Sequence, residues 1–224
     1  MLQKMLSLND YRPMTHWIEQ FLIDQEEKVS EHTWTTYARS LELWRLYLDS
    51  YYGETYLGEL EWGHLEEFLA WWYFRHYLGR NYQEAQVLLI TLENFAHWLK
   101  DKRVIQEDLW QEETGQLLKQ DIQRIFDWTK KRALEDGASE AGKCHLARDT
   151  GWFWVCQKDD DEASLSNLLT KQEYICNLQG DLPTFLRQGD VFSGFIWRGK
   201  EKTSFLDNKS IRNLYPRAAH KYFN

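Results

Sequence analysis

The spacing of apolar residues changes near residue 140, and this change constrains the fold more than any other feature of the chain. Before it, apolar side chains recur every three or four residues, which is the period of an amphipathic helix. After it, short aromatic and β-branched runs alternate with turn residues, which is typical of strands. The sequence therefore predicts an α+β chain, with helices first and a small β part after them.

The first part contains five stretches with helical spacing. Pro13 favours the start of the first stretch, and Ser30 or Thr33 caps the second. Gly115 is predicted to break the fifth stretch near its start. The predicted ranges are about residues 12–27, 34–53, 65–79, 85–99 and 108–135.

The second part contains five short runs with the composition of strands, and Arg198–Glu201 is predicted to form a hairpin turn between two of them. Five strands in such a short segment predict a small β-barrel or strongly curved sheet, of SH3-like or OB-like size. Pro216 ends the last run, and Arg217–Phe223 is expected to form one or two helical turns. The predicted strands are 152–156, 174–178, 191–197, 203–206 and 210–215.

These patterns divide the chain into four segments. Residues 1–11 form an N-terminal tail, and 12–103 form a helical domain. Residues 104–142 hold a long connecting helix and a linker, and 143–224 form the small β domain.

Cysteine content and apolar runs indicate a reducing, aqueous compartment. Three cysteines are too few for a disulfide scaffold, and none stands in the C-x-x-C spacing of a zinc site. The N-terminus lacks the apolar stretch of a signal peptide, and charged residues interrupt every potential membrane span. We therefore expect a cytoplasmic protein with no membrane partner. The sequence carries no signal for an oligomeric state.

No enzyme motif is complete. Gly194 and Gly199-Lys200 match part of a phosphate-binding loop, but Glu201 follows where serine or threonine would hold Mg²⁺, so a hairpin is the better interpretation. The acidic run Asp159–Glu162 lacks the spacing of an EF-hand, and a solvated turn is the expected structure. The sequence therefore predicts no catalytic residue, no metal site and no cofactor.

Aromatic residues make up 16% of the chain and include twelve tryptophans. At helical spacing they are expected to fill the core. Trp152, Trp154 and Trp197 leave two interpretations open: core of the small barrel, which we favour, or a platform on which bases or sugars stack.

Charge is unevenly distributed along the chain. The net charge is −8 overall, but residues 1–100 carry −7, whereas the segment from Arg187 to the end carries +5. Basic residues of this segment, with those of the fifth helix, form the one surface suited to phosphates, and the alternative is a solvated strand edge protected by lysines. The candidates for DNA contact in this group are Lys130, Lys131, Arg132, Arg198, Lys200, Lys202, Lys209 and Arg212.

The segment from Trp17 to Arg103 resembles the N-terminal core-binding domain of tyrosine recombinases and phage integrases. The resemblance is carried by Trp17-Ile18-x-x-Phe21-Leu22, by Thr33, Tyr37 and Leu41 at four-residue spacing, and by the closing Leu92-x-x-Phe95-x-x-Trp98-Leu99. It covers about 90 of the 224 residues. It implies a SAM-like bundle of four helices for residues 12–103.

In that family the second and fourth helices lie against the major groove of double-stranded DNA. The resemblance therefore implies DNA contacts from Lys28, Thr33, Thr36, Arg39, Arg80, Tyr82, Gln83 and Gln86. The family's catalytic domain is not recognisable here. His145-Leu146-Ala147-Arg148 fits a His-x-x-Arg pattern, but no first arginine motif precedes it, so we expect no strand cleavage.

Two functions of different classes follow. The first is a non-catalytic DNA-binding or DNA-associated protein that contacts double-stranded DNA. The alternative is a protein-interaction or regulatory adaptor, in which the acidic helical bundle binds a protein such as a recombinase.

Overall fold

A computed structural model describes residues 12–77, 82–105, 109–135, 147–199 and 204–223. These residues form two compact units. The first contains residues 12–72, 82–105 and 109–116, and the second contains 73–77, 117–135, 147–199 and 204–223. In the described part of the chain, no helix combines the length and the apolar character that crossing a membrane requires.

The first unit is helical, and its elements agree with the first, second and fourth of the predicted stretches. The third stretch begins earlier than predicted and is not one regular helix, because a π-helical segment, Phe68–Trp72, interrupts it. The elements are α1 (Met14–Glu26), α2 (Glu31–Tyr51), a 3₁₀ turn (Leu57–Glu59), α3 (Trp62–Glu67), the π segment, α4 (Tyr73–Tyr77) and α5 (Tyr82–Asp101). Residues of α4 belong to the second unit.

Helix α2 begins and packs as its sequence predicts. The Ser30 hydroxyl accepts a hydrogen bond from the Thr33 amide at 3.2 Å, which satisfies one free donor of the first turn. Phe95 of α5 meets Phe21 and Trp44 edge to face, with ring centroids 5.3 and 5.9 Å apart. All three side chains are buried, so rings from α1, α2 and α5 form the centre of this core.

Gly115 does not break the fifth predicted helix, which runs without interruption as α6 (Glu112–Glu135). Its function is steric. A β-carbon at this position would lie 2.6 Å from the ring of Trp110, which is itself buried against Trp62. Glycine is therefore the residue that lets the indole approach the first turn of α6.

The second unit contains six strands in its described residues, whereas the sequence predicted five. They are β1 (Ala147–Lys158), β2 (Glu162–Asn167), β3 (Glu173–Leu178), β4 (Val191–Arg198), β5 (Ser204–Leu206) and β6 (Ile211–Tyr215), with α7 (Leu182–Phe185) between β3 and β4. The five-run prediction missed β2. Its inward residues are only Ala163, Leu165 and Asn167, and serines between them weaken the apolar signal.

Five of these strands close into a barrel, in the order β1-β2-β3-β5-β4 with β4 pairing back to β1. The β3–β5 pair is parallel and the other pairs are antiparallel. Strand β6 pairs with β4 outside this ring. Inside the barrel, Phe153 stacks on Phe192 with centroids 5.3 Å apart, and both are fully buried. The sequence predicted a small barrel or a strongly curved sheet, and the described strands form the barrel.

A buried ionic cluster fastens α6 to the barrel. The Arg124 guanidinium donates to both carboxylate oxygens of Asp190, at 2.7 and 2.8 Å, and to Asp121 at 3.2 Å. Burial raises the pKa of Asp190, and the Arg124 guanidinium opposes this rise because its charge favours the ionised carboxylate. Asp121 in turn accepts a hydrogen bond from Arg217 Nε at 2.8 Å.

Candidate interaction surface

Lys28, predicted from the resemblance to contact DNA, pairs with a carboxylate of its own helix end. Its ammonium lies 2.6 Å from Asp24, which also accepts hydrogen bonds from Trp98 Nε1 at 2.9 Å and Lys102 Nζ at 3.2 Å. The bonds from Lys28 and Trp98 lower the pKa of Asp24 to about 2. In the free protein this lysine is therefore partly neutralised, although it stays exposed.

Of the other contacts predicted for the helical unit, Thr33 and Thr36 are half-buried on α2. Thr33 forms a hydrogen bond with Ser30 at 2.9 Å, and the Thr36 hydroxyl donates to the His32 carbonyl at 2.8 Å, so both hydroxyls have intrahelical partners. Arg39 and Gln86 are exposed. Arg80 lies outside the described residues, and Tyr82 and Gln83 lie in α5 with side chains outside the description.

Three of the cations that the sequence predicts to contact DNA make structural contacts within the second unit. Arg132 donates to the main-chain carbonyls of Ile211 and Arg212 at one edge of β6. Lys131 pairs with Asp181 at 2.5 Å, and Arg198 pairs with Asp149 at 2.8 Å.

The other cations of this group differ in exposure. Lys130 and Arg212 are exposed, and Lys209 is half-buried with a partner. Lys200 and Lys202 lie outside the described residues. The described cations therefore present fewer free charges to a phosphate backbone than the sequence suggests.

Trp152 and Trp154 do not form an open platform, and they are not inside the barrel either. They alternate with the inward Phe153 and lie on its outer surface, where Trp152 pairs with Ser193 and Trp154 with Val191. Residues 217–223 cover both indoles, because His220 stacks on Trp154 and Phe223 lies against Trp152. Trp197 is also on the outer surface, where it is 8% exposed and parallel to Phe205.

The glycine of the partial phosphate-loop pattern has a structural explanation. Gly194 lies inside β4, where a β-carbon would come within 2.0 Å of the Ser210 carbonyl oxygen. That oxygen accepts a hydrogen bond from the Phe195 amide at 2.9 Å, which holds the two backbones together. The segment is a strand, as the hairpin interpretation predicts, and Lys200 lies outside the described residues.

The outer surface of β2 and β3 is open and acidic. Register pairs the outward residues as Ser166 with Glu173, Ser164 with Ile175 and Glu162 with Asn177. The Ile175 side chain is 66% exposed although it stands in the middle of a strand. The adjoining β1–β2 turn adds the exposed carboxylates Asp159, Asp160 and Asp161. We call this surface, with Leu169, the acidic face.

Hydrogen bonds fix both turns that border the acidic face. At one end, the Asp159 amide donates to the Glu162 carbonyl at 2.9 Å, and Lys158 Nζ donates to the carbonyls of Asp159 and Asp160. At the other end, the Asn167 side chain accepts from the amides of Leu169 and Thr170 at 2.9 and 3.0 Å. This second turn presents Leu169, which is 78% exposed.

Two further features do not form a site. No group of three metal-binding side chains in the described ranges is arranged to hold an ion, and this includes the Asp159–Glu162 run. A cleft of about 280 Å³ lies between the start of α1 and the end of α2, and Arg45 lines it. Its guanidinium is held by Glu42 at 2.6 Å and Asp49 at 2.5 Å.

No family model, no curated protein and no solved structure matches this chain. The site residues must therefore be judged by their own chemistry. Sequence reasoning missed the acidic face because it missed β2: without that strand, nothing places Ile175 beside Ser164 or Glu173 beside Ser166. An apolar residue alternating with polar ones in Glu173–Leu178 was the available signal.

Proposed function

We propose that this chain is a non-catalytic interaction protein whose barrel binds a basic segment of a protein partner on the acidic face. The observation that carries the proposal is Ile175, exposed at 66% and surrounded in the register by small polar and acidic residues. Desolvating an isoleucine on a partner favours binding, and carboxylates around it select a cationic partner. The same carboxylates repel a phosphate backbone.

The barrel topology supports a binding role. Its order β1-β2-β3-β5-β4, with a parallel β3–β5 pair and a helix between β3 and β4, is that of the OB-fold. OB-folds use the β2–β3 surface and the neighbouring loops for ligands. Fold alone does not fix the ligand, so the side chains decide. In this chain the β2–β3 surface carries carboxylates and serines, whereas a nucleic-acid site of this fold carries stacking rings and cations.

A short labelled peptide that alternates lysine with leucine is a suitable probe for the acidic face. We expect fluorescence anisotropy to detect binding that weakens as salt rises from about 50 to 200 mM, because exposed charges are screened. Ile175→Ser should weaken binding about tenfold through lost apolar burial. Glu162→Gln combined with Glu173→Gln should flatten the salt dependence.

Ile23→Ser is the matched control, since Ile23 of α1 is 62% exposed, close to the value for Ile175. It should leave peptide binding unchanged. Absence of peptide binding, or equal losses in the two isoleucine variants, would contradict the proposal.

Association with double-stranded DNA is the second candidate function. It is supported by four helical stretches in the order that the core-binding resemblance implies, with Ser30 capping α2, and by the exposed cations Arg39, Lys130 and Arg212. A random duplex of about 30 base pairs should then bind with a steep salt dependence. The slope in question is that of the logarithm of the binding constant against the logarithm of the salt concentration. Arg39→Ala and Arg212→Ala should each reduce its magnitude by about one. Absence of duplex binding at low salt, or salt slopes that stay unchanged in both variants, would contradict this second candidate function.

A further inference from the structure

The C-terminal segment, residues 216–223, covers the outer surface of β1 in a regular way. Residues Arg217–Tyr222 form a 3₁₀ helix, which has three residues per turn, so side chains three apart lie above one another. Arg217, His220 and Phe223 have this spacing. Each of them contacts a different residue elsewhere in the second unit. The segment thus presents one charged group and two rings along a single line.

Each of the three side chains has a defined receptor. Arg217 Nε lies 2.8 Å from Asp121, which is only 8% exposed. The His220 ring stacks on Trp154 with centroids 4.0 Å apart and planes 17° apart.

The second ring has two neighbours. The Phe223 ring lies 4.8 Å from Trp152 and 5.3 Å from Tyr215. Asp121, Trp154, Trp152 and Tyr215 therefore form a linear surface that matches the segment, and we call it the β1 groove.

The segment is attached to this groove by side chains. Its backbone bonds from Ala219 to Pro216 and from Phe223 to His220 close within the segment itself. The Arg217 amide donates to Asp121 at 3.3 Å, a long bond to a side chain. No ladder hydrogen bond ties residues 217–223 to a strand in the described part of the chain. Such a segment can separate from the barrel without breaking the sheet.

One polar atom in the groove is left without a partner. Trp154 Nε1 is buried and makes no hydrogen bond within the described residues. Burying an indole N–H without an acceptor costs free energy. A ligand with an oxygen at this position would therefore satisfy a donor that the chain's own segment leaves unpaired.

We propose that the β1 groove is a second binding site, for a short helical turn of a protein partner that carries arginine and two planar rings at three-residue spacing. The chain's own C-terminal segment occupies this site in cis and competes with the partner. This site borders the acidic face, because Trp154 is the register partner of Ser166, but it uses other side chains: aromatic rings and a single buried carboxylate.

An acetylated peptide of residues 216–224 tests the groove on the full chain. The variant H220A/F223A removes the two rings that hold the segment and keeps every receptor residue. The peptide should bind this variant about tenfold more tightly than the wild-type chain, where the tethered segment competes at high effective concentration. The same peptide with Arg217→Ala should bind more weakly and lose most of its salt dependence.

Two outcomes would overturn the proposal: no binding of the peptide to H220A/F223A with unchanged circular dichroism, or equal binding to variant and wild type. Hydrogen exchange on the wild-type chain provides a test that needs no variant. The amides of Ala219 and Phe223 should exchange at least a hundredfold faster than those of Phe153 and Val155. Equal rates would mean that the segment opens only when the barrel unfolds, and the proposed competition would fail.

Discussion

Gly194 shows how one residue can be fixed by a contact that its own sequence neighbourhood does not reveal. A β-carbon there would lie 2.0 Å from the Ser210 carbonyl oxygen, and a backbone atom cannot rotate away as a side chain can. We therefore expect Gly194→Ala to lower the free energy of unfolding by about 3 kcal/mol. Urea denaturation followed by circular dichroism measures this loss.

Ser193 provides the control for that substitution. It precedes Gly194 in β4 and already carries a β-carbon, so Ser193→Ala should change the free energy of unfolding by less than about 1 kcal/mol. If both alanine variants had the same stability, the close approach of Ser210 could not be the reason for glycine.

Asp24 links stability to acid pH. Its pKa is lowered to about 2 in the folded chain by Lys28 and Trp98, whereas an unfolded aspartate has a pKa of about 3.9. A lowered carboxyl pKa contributes stability that is complete above the unfolded value and is lost as the pH falls towards the folded value. Between pH 5 and pH 2, the free energy of unfolding of wild type should therefore fall by about 1 kcal/mol more than that of Asp24→Asn. This figure allows for the partial exposure of the Asp24 side chain.

Chemical denaturation across this pH range measures the difference. Parallel stability curves for wild type and Asp24→Asn would refute the assigned role of Asp24.

At the scale of elements, the contacts that hold helix α6 to the second unit include one buried ion pair and one exposed ion pair. Arg124→Met would leave the fully buried Asp190 without a counter-charge, at a cost of about 3–5 kcal/mol. Lys131→Met breaks the exposed pair with Asp181 and should cost less than about 1 kcal/mol. Thermal unfolding of the two variants should separate them clearly, and equal melting temperatures would show that the buried cluster does not fasten α6.

Elements with strong periodicity were predictable from the sequence, and those fixed by tertiary contacts were not. The bounds of α1, α2 and α5 follow from apolar spacing and from the Ser30 cap. Strand β2 was missed because its neighbours in the barrel, rather than its own composition, make it a strand.

The same distinction holds for the candidate sites. The sequence gives the charge of Lys131 and Arg132 but not their partners Asp181 and Ile211, which lie far away along the chain. Trp152 and Trp154 alternate with Phe153, so their position on the outer surface follows from strand geometry. The turn that covers them comes from the other end of the β part and could not be placed from the sequence.

At the scale of the whole molecule, charge is separated within the second unit. Residues 158–173 contain five carboxylates and two lysines, whereas the segment from Arg187 to the end carries +5. A bulk net charge of −8 hides this separation. The acidic face and the basic C-terminal residues can therefore favour different partners on one small barrel.

Each unit also encloses its own apolar core, and this leads to a prediction for the whole chain. Leu165 of β2 and Leu92 of α5 are both 0% exposed, and alanine at either position should cost about 2–5 kcal/mol through a cavity. Hydrogen exchange should assign each loss to one unit, because local cores open as separate cooperative units. Leu165→Ala should accelerate exchange in β1 and β4 and spare α2, and Leu92→Ala should do the reverse. If either substitution accelerated both sets of amides equally, the two units would unfold as one.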